Sequence, residues 1–84
     1  MGIEYVLKVP EEYRARVAEK AETEIPELLE RLDPSPDNNI NVSPIPEGLF
    51  VCDYLSNDVV AAKVFRAAIS WLLLFSPQVI VEDA

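Results

Sequence analysis

The sequence predicts an α+β domain in which two helices cover one face of a four-stranded antiparallel sheet. Three observations predict it. Residues 3–9 alternate apolar and polar side chains with a period of two, the signature of a half-buried strand. Two longer stretches, beginning at Glu11 and Val59, carry apolar residues at helical spacing. Three short β-rich runs, residues 40–43, 49–55 and 78–82, complete the order strand, helix, strand, strand, helix, strand.

The first strand sets Ile3, Tyr5, Leu7 and Val9 on one side and Glu4, Val6 and Lys8 on the other. Pro10 then suits the start of a helix, whose first turn does not need the missing N–H, and Glu11 and Glu12 suit the positive end of its dipole. Tyr13, Val17, Ala21, Leu28, Leu29 and Leu32 share one stripe of this helix. Glu12–Arg16, Lys20–Glu24 and Glu27–Arg31 pair four residues apart on its outer face. Pro26 cannot donate to the carbonyl of Glu22, which predicts a kink or break over residues 23–25.

Residues 33–39 read as a loop by composition. Residues 40–43 form a short strand, placed at a sheet edge because Pro44 and Pro46 follow. Glu47 and Gly48 close a turn into residues 49–55, an almost continuously apolar strand interrupted by Asp53. Ser56, Asn57 and Asp58 are helix-starting residues, so the second helix spans residues 59–75 and stops before Pro77. The last strand, residues 78–82, sets Val79 and Val81 on one face. Right-handed crossovers arrange this order as a ferredoxin-like sandwich with the first and third strands central.

The chain of 84 residues reads as a single domain with a modest core, because half of its residues are hydrophobic. Cys52 is the only cysteine, so no disulfide forms within the chain, which points to a reducing compartment. Residues 1–10 lack the pattern of a signal peptide. The apolar stretch over residues 59–75 carries Lys63 and Arg66 and is short for a bilayer span. A cytoplasmic protein is the expectation. The net charge of −8 disfavours nucleic acid and anionic membranes as partners and favours either plain solubility or a basic partner.

Histidine is absent, which removes the commonest general base and metal ligand at neutral pH. Asp33, Ser35, Asp37, Asn39 and Asn41 alternate like the first ligands of a calcium loop. Asn38 stands where the turn glycine belongs, however, and Pro44 where the bidentate glutamate belongs. An ordinary turn-rich loop is the plainer reading. Cys52 alternates inward with Phe50 and Tyr54, as inert packing. Asp53 falls on the opposite side, where a cross-strand pair with Lys8 is the simplest role. Two isolated glycines cannot build a phosphate-cradling loop. No RNA-binding aromatics, Cys-x-x-Cys pair or arginine-bearing loop appears where other domains of this topology carry them. No cofactor and no metal site is expected.

What remains is apolar excess. With this phasing the uncovered sheet face presents Val6, Val51, Asp53 and Ile80. The second helix carries only a narrow polar stripe of Lys63, Arg66 and Ser70, with Trp71 and its neighbours over most of the remaining girth. Val6, Val51, Asp53, Ile80, Lys63, Arg66 and Trp71 are therefore the candidate contact residues. The expected function is a non-catalytic protein-interaction domain, a homodimer or one bound to a different protein. One alternative is an acidic immunity- or inhibitor-type protein that blocks a basic enzyme by presenting the Glu-rich first helix and the loop from Asp33 to Asn39. The other is a small-ligand domain or enzyme.

Overall fold

The alternation in residues 3–9 becomes β1 (Ile3–Lys8), followed by α1 (Glu11–Leu32), β2 (Ile40–Ile45), β3 (Gly48–Asp53), α2 (Asp58–Leu72) and β4 (Ile80–Asp83). The structure is a computed structural model that describes residues 2–34 and 39–84. The strands lie in the order β2-β3-β1-β4, each antiparallel to its neighbour. This is the ferredoxin-like arrangement, with β1 and β3 central and β2 and β4 at the edges. Alternation, helical spacing and proline placement were sufficient to foresee it.

α1 starts at Glu11 behind Pro10 and carries Glu11 and Glu12 in its first turn and Arg31 in its last, as the dipole favours. It then runs unbroken through Pro26, so the break expected over residues 23–25 does not occur. A proline in a helix interior costs about 3 kcal/mol. Burying an aliphatic side chain returns about 1.5–3 kcal/mol, and the continuous helix buries both Ile25 and Leu28 in the core. The two together offset the proline, whose ring is itself exposed.

β2 and β3 form a hairpin in which Ile45 faces Gly48 across the turn residues Pro46 and Glu47. α2 is capped by Asn57, whose side chain accepts from the amide of Val60 at 3.1 Å. Its last turn loosens at residues 73–75, before Pro77.

The sheet register corrects the sequence reading of β3. Leu7 pairs with Leu49, Tyr5 with Val51 and Ile3 with Asp53, and directly paired residues share a face. Leu49, Val51 and Asp53 therefore lie on the helix side, with Ile40 and Val42 of β2. Phe50 and Cys52 lie on the open face beside Val6 and Glu4. The phase was invisible in the sequence because a strand apolar on both sides has no alternation to read. The expected Lys8–Asp53 pair also fails, since the two residues sit at opposite ends of the β1–β3 ladder. Lys8 pairs instead with Glu82 of β4.

The core fills the space between the helices and β1, β2 and β3: Leu7, Val17, Ala21, Leu49, Val51, Val64, Ala68 and Leu72 are all buried. The close helix-to-strand approaches are to β2 and β3. All four β4 residues remain exposed. The helix layer is thus displaced from the β4 edge, and this displacement shapes the candidate site.

Candidate functional site

Along its β4-ward flank, α2 presents Asp58, Ala61, Ala62, Phe65, Arg66 and Ile69, one stripe at spacings of three and four. Tyr5 from β1 and Asp53 from the end of β3 complete the walls of an open groove of about 580 Å³. Phe65 packs edge-to-face on Tyr5, with ring centroids 5.1 Å apart, which fixes the aromatic floor. Val81 and Asp83 of β4 pair with Leu7 and Tyr5, so both point to this side of the sheet.

The groove is apolar along its length and charged at defined points. Asp53 and Asp58 stand toward the N-terminal end of α2, and Arg66 stands two turns further along. One carboxylate oxygen of Asp53 already accepts the amide of Leu55 at 2.8 Å, closing a turn. That turn holds Leu55 in the left-handed region, at φ 62°, with half of its surface exposed. Tyr54, Leu55 and Val59 leave further apolar surface open between β3 and the first turn of α2.

The contact residues read from the sequence separate into three groups. Asp53 and Arg66 come together on the groove, and Lys63 is exposed on the next stripe of α2. Val6 and Ile80 lie on the opposite, open face, Val6 half-buried and Ile80 exposed. Val51 and Trp71 leave the set. Val51 is fully buried beneath the helices. Trp71 is buried as well, its ring edge-to-face on Phe75 and its indole N–H donating to Glu24 of α1 at 3.1 Å. The aliphatic rim expected next to it is carried by Leu73 and Leu74, which are exposed.

Tyr5, Asp58, Ala62 and Phe65 escaped the sequence reading. Their signal was available: Asp58, Ala62, Phe65 and Ile69 recur at helical spacing, with two alanines in mid-stripe where a close approach would need small side chains. Without the position of β4, that stripe is indistinguishable from ordinary core.

The open face offers less. Its central row runs Ser43, Phe50, Val6 and Glu82, with Asn41, Cys52 and Glu4 alongside. Phe50 is its one aromatic side chain among carboxylates, a poor platform for nucleic acid. Cys52 lies here, half-buried, and not under the helices.

Asp33 and Asn39 bond to each other at the foot of α1, and Ser35 and Asp37 lie outside the described residues. Among the described residues no three His, Cys, Asp or Glu side chains gather closely enough to hold a metal ion. No described helix is long and apolar enough to cross a membrane. The chain matches no family model, no curated protein and no solved structure.

Proposed function

We propose that the protein is a non-catalytic interaction domain that binds another protein surface along the β4-ward flank of α2. The observation that carries this reading is the groove itself: an aromatic floor of Tyr5 and Phe65 left open because the helix layer is displaced from β4. Exposed Ile3 and Val81 lie on the same side of the sheet as Tyr5, and exposed Leu55 and Val59 flank Asp58 at the start of α2. Apolar surface gathered around one open groove marks a contact site better than scattered single residues do.

The side chains present suit binding more than chemistry. The titratable groups along the groove are two aspartates, one arginine and one tyrosine, with no histidine in the chain to act as a base. The groove is open to solvent and not enclosed, a shape that suits a protein surface. A reducing, cytoplasmic setting remains part of the proposal, on the single unpaired cysteine.

Affinity capture with three versions of the chain as bait tests the reading. Ala62→Glu places a charge on the exposed flank of α2 without touching the core. Ser43→Lys places one on the open face. The expected result is a protein retained by the wild-type chain and by Ser43→Lys, and lost with Ala62→Glu. Capture that ignores Ala62→Glu but fails with Ser43→Lys would move the contact to the open face and sink the proposal.

A further inference from the structure

The groove stripe has an internal symmetry that names its occupant. Asp58 and Arg66 lie four residues on either side of Ala62, so an antiparallel copy of α2 crossing at Ala62 brings Asp58 opposite Arg66 of the second copy, and Arg66 opposite its Asp58. Acid meets base at both charged positions. Exposed Val59 lies within one turn of Ala62 on the outer side of the helix, beside the crossing point. Ala62, the residue on the axis, is small and exposed, as a close helix crossing requires.

We infer that the occupant of the groove is a second copy of this chain, in a two-fold dimer built on antiparallel α2 helices centred at Ala62. The inference rests on the binding role proposed above for this flank and adds the identity of the partner. Self-complementary charge is the argument. Among the described residues the one ion pair is Lys8–Glu82, and neither Asp58 nor Arg66 has an ionic partner there. The dimer gives each of them one. It also covers Val59, one of the exposed large apolar side chains of the molecule. A net charge of −8 on each copy opposes association, but at physiological salt charges more than about 8 Å apart are largely screened, whereas the Asp58–Arg66 contacts are close.

The other occupants are weaker on the same observations. A purely basic segment would satisfy Asp53 and Asp58 but would meet Arg66 with like charge. Strand addition at β4 would meet Glu82 and Asp83 on an edge only four residues long.

Sedimentation equilibrium over a concentration series, with circular dichroism and thermal melting on every variant, tests the dimer. The wild-type chain should reach twice its 9.4 kDa mass. Ala62→Glu, which brings two carboxylates together on the axis, should remain monomeric, with the circular dichroism spectrum of a folded chain and a melt that no longer depends on concentration. Asp58→Arg and Arg66→Asp should each weaken the dimer by about tenfold or more, since both contacts turn from attraction to repulsion. The double variant Asp58→Arg with Arg66→Asp should recover wild-type affinity, because the swapped pair is again complementary across the axis. A folding defect cannot imitate that recovery.

A wild-type chain that stays monomeric at high concentration overturns the inference, as does a dimer indifferent to Ala62→Glu or a double swap that restores nothing. If the chain is monomeric while capture of a different protein still depends on Ala62, the dimer is wrong and the binding role stands.

Discussion

Asp33 closes the loop between α1 and β2 by accepting two hydrogen bonds from Asn39, one from its backbone amide at 3.0 Å and one from its side-chain amide at 2.9 Å. The Asn39 side-chain oxygen in turn accepts the hydroxyl of Ser56 at 2.8 Å, and its carbonyl accepts the amide of Tyr54 at 3.1 Å. One asparagine thus joins the foot of α1 to the segment that leads into α2. The alternating oxygen side chains that resemble a calcium loop in the sequence include a carboxylate spent on closing the loop.

Asp33 is buried, so replacing it with Ala leaves the Asn39 donors without their acceptor. The expected cost is about 1.5–3 kcal/mol, the range for hydrogen bonds to a charged group. Asn39→Ala should cost a similar amount, and the double variant clearly less than the sum, because both remove the same contact. Urea denaturation midpoints of the four proteins decide it; additive costs would mean that the pair does not act as a unit.

The phase of β3 is testable by placing one hydroxyl on each side of the sheet. Val51→Thr buries a hydroxyl under the helices, which costs roughly 1–3 kcal/mol in protein interiors. Val6→Thr puts it on the open, partly solvated face, with a change expected within about 0.5 kcal/mol, as for surface substitutions. Chemical denaturation of both variants reads the difference. Equal tolerance of the two substitutions would restore the phase inferred from the sequence alone, which sets both residues on the open face.

Gly48 opens β3 where it passes β1. Its φ of 154° is a backbone conformation that L side chains rarely adopt, and a Cβ built there would lie 2.1 Å from the carbonyl oxygen of Leu7. That oxygen belongs to a central strand and cannot give way cheaply. Gly48→Ala should therefore destabilise by roughly 3 kcal/mol or more, well above a typical substitution. A thermal melt within a few degrees of the wild type would contradict the close approach.

Leu55 is the one non-glycine residue with positive φ among those described. That conformation costs an L residue roughly 1–2 kcal/mol, and glycine none. Leu55→Gly gives back part of the gain through the greater freedom of the unfolded chain, so a net stabilisation of about 0.5 kcal/mol is expected in the isolated monomer. The same change removes an exposed apolar side chain beside the first turn of α2. Stability measured in a background carrying Ala62→Glu isolates the backbone effect, and a clear loss there would show that Leu55 packs within its own chain.

The sequence by itself determined the number, order and kind of the elements. Period-two alternation in β1, helical spacing in both helices, the Asn57 cap and the prolines after Val42 act over a few residues and owe little to distant contacts. The crossover rule then left one arrangement of six such elements, with β1 and β3 at its centre. Tertiary structure alone decided the rest. β3 is apolar on both sides, so only pairing with Leu7 and Tyr5 could choose whether Val51 or Phe50 faces the helices. Pro26 could break α1 or be carried through it, and the burial of Ile25 and Leu28 against the other layer settled which. Trp71 turned inward toward Glu24, while the Asp58–Ile69 stripe became surface because the helices sit over β2 and β3 and leave β4 bare. Local chemistry selects an element, but which face of it meets solvent depends on partners far away in the chain.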